Sequence, residues 1–324
     1  TAGLLSRTGN YTLLIWASTM ILWLFADPMF PQLYQRLCAA ESDESIGRMA
    51  TFYPTVAWLA FLPPILIGTI GHIYHPGLDR SGGDNILPTL ILEVGGEWFG
   101  GLVLVAGLAA LMSTMDSQLL ATGSLVTRDL LTSVSDNKWG RELVIVSLSI
   151  LGLLLSLWSD LSILDLGLLA FSMYAVMFPS VFLVANWDSV DGRAVISSIV
   201  AGEAIVILAV FSPESFDGWW IRPEGGAMPT VVIPSIVASI GALVAAQCFF
   251  NKGPGFFESM KIKWGVLIPV IPFIVIFILA QDFWWWDNSS NFAWGLPVWI
   301  WWSAALSIVQ TAVMARIVQL DTQR

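Results

Sequence analysis

The chain has 324 residues, 56% of them hydrophobic and only 12% charged, with a mean hydropathy of +0.75. A soluble domain carries about 25% charged residues, and apolar runs of about 18 or more suit a lipid bilayer rather than an aqueous core. The net charge of −10, with no basic stripe to neutralise phosphates, excludes nucleic acid as a partner.

Residues 1–10 read as a lead into a helix, without an initiator Met or a signal peptide, so a further N-terminal part is expected. Nine spanning segments follow, at 11–37, 52–73, 98–120, 143–158, 161–185, 194–211, 229–250, 264–284 and 296–318. The first is apolar through Phe25 and then reads Ala26-Asp27-Pro28-Met29-Phe30-Pro31. Two prolines three apart remove two backbone donors and disfavour helix in the residues before them. An acid at membrane depth costs roughly 2.5–3.5 kcal/mol unless it lines a wet cavity or finds a partner. Irregular backbone is tolerated there only inside protein or beside such a cavity. The segment therefore reads as a discontinuous helix, a usual place for a substrate or ion site; the plainer alternative is a proline kink with Asp27 near the interface.

After it, Ser42-Asp43-Glu44 reads as a solvated loop, as does the acidic stretch 214–224. Past the second span, Pro76, Gly77, Gly82 and Gly83 mark an external turn, with surface histidines at 72 and 75 and a short interfacial helix over 86–94. The third span carries Ala110, Ser113, Thr114 and Ser117 on one helical face, with Asp116 at its edge. Hydroxyls and a carbonyl are hard oxygen ligands suited to a small cation, though such a face also serves as helix-packing glue. Asp165 in the fifth span and Glu203 in the sixth are lesser candidates: Asp165 reads as wet, near the outer end, and Glu203 as packed against a partner. Cys38 and Cys248 read as free cytoplasmic thiols.

Charge sets the topology. Arg36, Arg48, Arg128, Lys138, Arg141, Arg193, Lys252, Lys261, Lys263, Arg316 and Arg324 all fall on one side of nine spans, leaving Arg7, Arg80 and Arg222 on the other. This predicts a multi-pass protein of the cytoplasmic membrane, with its first residue outside and its last inside. Trp219-Trp220, Trp284-Trp285-Trp286, Trp299 and Trp301-Trp302 fall at the predicted outer boundaries, where such rings anchor.

The stretch 108–120, Leu-Ala-Ala-Leu-Met-Ser-Thr-Met-Asp-Ser-Gln-Leu-Leu, continuing to Thr127-Arg128-Asp129, resembles the signature of the sodium:solute symporter family around its sodium-binding helix. Residues 31–42, with Gln35-Arg36 followed by small residues and a polar turn, resemble the family's segment after its broken central helix. The likeness covers roughly 10–250. It implies an all-α polytopic membrane fold: the second half of a leucine-transporter-type five-plus-five inverted repeat, plus extra C-terminal helices. It also implies a sodium ion held by the carbonyl of Ala110 and the hydroxyls of Ser113 and Thr114, its other ligands coming from a first repeat supplied in cis or in trans. Asp116 and Ser117 fall where some members build a second cation site, with a carboxylate here in place of a hydroxyl. The implied solute cavity is lined by Phe25, Ala26, Asp27, Phe171 and Tyr174; Phe171 stands where the family's sugar transporters place a polar side chain. Residues 268–273 and 294–302 resemble a different group, small two-helix membrane proteins that accompany such symporters. The expected organisation is a symporter portion over 1–250, with about seven spans, a cytoplasmic linker over 251–263 and a two-helix accessory segment over 264–324.

The function so implied is sodium-coupled symport of a small organic solute: an organic acid, an amino acid or a vitamin-like acid. Alternatives from other classes are a solute-sensing membrane domain without transport and one subunit of a split transporter. No nucleophile–base pair or metal cluster suggests an enzyme.

Overall fold

The computed structural model describes residues 13–78, 80–131, 139–158, 163–186, 190–212, 231–250, 270–281 and 292–321. They are almost entirely helical: α1 Leu13–Ala26, a 3₁₀ turn Asp27–Met29, α2 Pro31–Cys38, α3 Asp43–Tyr74, a one-turn helix Arg80–Gly83, α4 Ile86–Leu125 ending in a π-turn Val126–Leu130, α5 Gly140–Trp158, α6 Ile163–Asn186, α7 Gly192–Phe211, α8 Val232–Phe250, α9 Ile271–Ala280 and α10 Val298–Asp321. Seven of the described helices are long and apolar enough to cross a bilayer, and the bent pair Leu14–Met29 and Pro31–Cys38 makes an eighth. The protein is an all-α polytopic membrane protein.

Two boundaries differ from the sequence reading. Ser42-Asp43-Glu44 is no loop: the Ser42 hydroxyl accepts the Ser45 N–H at 3.2 Å, and Asp43 and Glu44 occupy the first turn of α3. A serine N-cap followed by acids favours the positive end of a helix, a signal that hydropathy does not register. Within α4, Gly96 takes φ 69° and ψ 179°, which only glycine adopts readily, so the expected interfacial helix ends there and a second helix begins. That second helix runs to Leu130, ten residues past 120. Of the expected span 264–284, residues 264–269 and 282–284 lie outside the described residues, and the described part holds the apolar helix Ile271–Ala280.

Two compact units divide these elements. One contains α3, α9, the hairpin Phe292–Ala293 and Leu296–Pro297, and α10. The hairpin turns through Trp294 (φ 53°) and Gly295 (φ 81°), the pair of positive φ values a two-residue turn of this kind requires. The Trp302 indole donates to the Leu279 carbonyl at 2.7 Å, joining α10 to α9.

The other unit contains α1, α2 and α4 to α8, and its tightest packing is among α6, α7 and α8. On α7, Ala194, Ser198, Gly202 and Val206 recur every four residues and are all buried. Such a stripe of small residues lets helix backbones approach closely. The Ser239 hydroxyl donates to the Val176 carbonyl at 3.1 Å, and the Ser198 hydroxyl lies 2.8 Å from that of Ser239 and 2.9 Å from its carbonyl. At the end of α8, the Gln247 side-chain oxygen accepts the Asp191 N–H at 2.9 Å. Asp191 caps α7 through the Arg193 N–H at 2.8 Å and pairs with its guanidinium at 2.9 Å, so Arg193 holds this carboxyl below the usual carboxylate range. Asp165, expected to be wet, is 3% exposed in the first turn of α6, where the helix dipole favours a carboxylate.

Candidate solute and cation sites

The break in the first span is the centre of the candidate solute site. Pro28 has no N–H for the Leu24 carbonyl, and Pro31 has none for Asp27. The chain responds with one 3₁₀ turn, Asp27–Met29, and then Phe30 in extended backbone (φ −63°, ψ 116°), its N–H reaching the Asp27 carbonyl only at 3.4 Å. α2 resumes at an angle of 49°. The Phe30 carbonyl restarts the ladder, accepting from Leu33 and Tyr34 at 3.0 Å each.

Against this break lies α6. Leu22 and Ala26 are fully buried with Leu168, Ala175, Val232 and Ile236, and Phe25, Phe171 and Tyr174 pack around that cluster. Rings line the seam. Phe171 meets Trp23 at 4.8 Å and Phe30 at 5.4 Å, Tyr174 meets Phe30 at 5.0 Å, and Phe25 stacks on Phe178 at 4.4 Å. Edge-on and offset arrangements of this kind are the favourable ones for aromatic pairs. Asp27, half-buried, opens the 3₁₀ turn at the end of this aromatic seam.

The structure thus gathers Phe25, Ala26, Phe171 and Tyr174 in one cluster and sets Asp27 at its edge. Trp23, Phe30 and Phe178 belong to the same seam and were not singled out from the sequence. The spacing of Phe171, Tyr174, Phe178 and Phe182, close to multiples of 3.6, is the signal that marks an aromatic face on α6. One turn past the break, the Gln32 side-chain oxygen is buried with no hydrogen-bond partner among the described residues, and Gln35 donates to the Ala121 carbonyl of α4 at 3.4 Å.

The candidate cation residues lie along α4. Ala110, Ser113, Thr114 and Asp116 are exposed and Ser117 is half-buried, so within the described residues this face is not covered. The Thr114 hydroxyl donates to the Ala110 carbonyl at 3.3 Å, and that of Ser117 donates to the Thr114 carbonyl at 2.8 Å. Each hydroxyl spends its proton on its own helix and keeps lone pairs for a further contact. Hydroxyl and carbonyl oxygens are the type of ligand a hard cation takes. No group of three or more His, Cys, Asp or Glu suited to a metal occurs among the described residues.

Compared with known proteins, residues 10–202 match the sodium:solute symporter family. A sodium/pantothenate symporter of Haemophilus influenzae is 28% identical over 201 residues, covering 59% of this chain and 41% of that protein. A sodium/proline symporter of Escherichia coli is 24% identical over 192 residues, 55% of this chain and 38% of its own length. An osmoregulated proline transporter of Bacillus subtilis is 34% identical over 116 residues, 33% and 24% respectively. The chain spans about two-fifths or less of the curated relatives it matches, and no solved structure matches it.

Proposed function

Because this chain belongs to the sodium:solute symporter family, we propose that it contributes the solute-contacting break and one wall of the sodium site to a transporter that couples the inward movement of a small organic solute to that of sodium. The observation that carries this reading is the broken first span: an acid and two prolines at membrane depth, set against the aromatic face of α6. A helix that only had to cross lipid would gain nothing from it.

In this reading Phe25, Ala26, Asp27, Phe171 and Tyr174 surround the solute. Asp27 and the buried Gln32 oxygen are acceptors in want of a donor, which suits a solute carrying an N–H or ammonium group. Pantothenate and proline, named for the relatives, each combine an N–H with a carboxylate; an amino acid or a vitamin-like acid is therefore the class proposed. Sodium is a co-transported substrate, held by the Ala110 carbonyl and the Ser113 and Thr114 hydroxyls, with Asp116 and Ser117 as ligands for a second cation. The uncovered face of α4 meets the first repeat, in cis or in trans. Each inward sodium ion gains about 2.3 kcal/mol per 100 mV of membrane potential, and coupling follows if sodium favours the state that also binds solute. The lysine and arginine distribution orients the protein with residue 13 toward the outside and residue 321 toward the inside.

The test replaces Ser113 by Ala together with Thr114 by Ala in the transporter containing this chain and measures sodium-dependent uptake. The expected result is a sharp rise in the sodium concentration needed for half-maximal uptake, with maximal uptake at saturating sodium largely kept. An unchanged sodium dependence overturns the site.

A further inference from the structure

We propose that α10 docks on α3 and braces it across Pro54. The two helices belong to one compact unit and run antiparallel, since Gly47, Thr55 and Trp58 of α3 meet Val318, then Ser307 and Thr311, then Ser303 of α10. The Thr55 and Thr311 hydroxyls are 2.8 Å apart, and Thr55 reaches the Ser307 carbonyl at 3.3 Å. The Trp58 indole donates to the Ser303 hydroxyl at 3.0 Å, and Ser303 passes its own proton to the Ile300 carbonyl at 2.8 Å. At the other end, a Cβ on Gly47 would stand 2.8 Å from the Val318 Cγ1, so glycine is what admits that side chain to the α3 backbone.

The position of this ladder gives it a purpose. Pro54 has no N–H to offer the Ala50 carbonyl, and its ring crowds that carbonyl, so α3 is weakened there. The Gly47 contact lies on one side of the weak point and the Thr55 and Trp58 contacts on the other. α10 contains neither proline nor glycine from Val298 to Asp321 and runs past the defect as an unbroken rod. Pro63 and Pro64 lie beyond Trp58, the last residue of the ladder, and there α3 has two further missing donors. Side-chain hydrogen bonds between spans are a specific glue, because lipid offers the same groups no partner. This inference stands apart from the transport reading and would hold for a sensor domain equally.

The test uses the full chain in lipid nanodiscs with Ser303→Ala and Thr311→Val, near-isosteric changes that leave the α3 sequence intact for comparison. Amide hydrogen exchange over 47–58 should accelerate by about fivefold or more, while 140–158 in the other unit stays as in the wild type. No acceleration over 47–58 overturns the brace, and equal acceleration throughout reduces the ladder to general stability and overturns it too. As a second measurement, a protease site placed between Phe250 and Val270 is cut after folding. The C-terminal fragment of the wild type should co-elute with the rest and that of the double variant should be released; separation of the wild-type fragments refutes docking.

Discussion

Replacing Gly202 by alanine adds one methyl group at the most crowded point among α6, α7 and α8. A Cβ there would lie 2.4 Å from the Val176 Cγ1, 3.1 Å from the Ser235 carbonyl oxygen and 3.1 Å from the Ser239 Cβ. Carbon atoms rest about 3.5–4.0 Å apart, so Val176 must withdraw by about 1 Å or more. It has nowhere to go: Val176 is fully buried, and a β-branched side chain in a helix is confined to essentially one rotamer. Overpacking of this kind costs about 1–3 kcal/mol. The intrinsic preference of a helix for alanine over glycine returns about 0.5–1 kcal/mol, leaving a net loss of about 0–2.5 kcal/mol, centred on about 1 kcal/mol, or roughly a fivefold fall in the folded ratio. The assay is thermal unfolding in detergent followed by size-exclusion fluorescence, for Gly202→Ala, Val176→Ala and the pair. Each single variant should be less stable than the wild type, one by crowding and one by a cavity, and the pair should be more stable than their sum by about 1 kcal/mol, because the new methyl fills the space vacated. Additivity within about 0.5 kcal/mol would refute the close approach of α7 to Val176.

Three further outcomes are expected. Asp27→Asn keeps the shape of the break but removes the charge, and should lower uptake of an amine-bearing solute more than that of a neutral one in a paired uptake assay. Ser42→Ala removes the cap of α3 and should cost about 1 kcal/mol, read as faster amide exchange at Ser45 with the transmembrane part unchanged. Because Arg193 depresses the Asp191 carboxyl, the stabilisation it gives is present above the ordinary aspartate value of 3.8 and is lost as pH falls through the lowered value; Arg193→Gln should flatten the fall of the unfolding midpoint below that ordinary value and leave its shape unaltered above about pH 5.

Much of the fold was open to reading because lipid imposes a severe rule: an apolar run of sufficient length must be a helix. The spans at 52–73, 143–158, 161–185, 194–211 and 229–250 answer to that rule and appear as α3, α5, α6, α7 and α8. The break after Ala26 was legible for a related reason, since Pro28 and Pro31 lack donors wherever they stand. Ser42 as a cap and the burial of Asp165 were not, because each depends on what a helix end meets. Phe30 was missed as well; a phenylalanine in a broken helix announces nothing until α6 brings Phe171 and Tyr174 to either side of it.

By itself the sequence determined that this chain lives in a bilayer, where most of its spans lie to within a turn or two, where the first of them must break, and which oxygen-bearing residues share a face of α4. Local covalent chemistry and the absence of water in lipid suffice for each of those, and neither needs a neighbour. Only the tertiary structure decided which faces meet: that α6 covers the break, that Gly202 admits Val176, and that α10 lies along α3 across Pro54. Contacts between residues as far apart as Thr55 and Thr311 are set by the packing of whole helices, and apolar faces of similar composition carry no address for one another in their order along the chain.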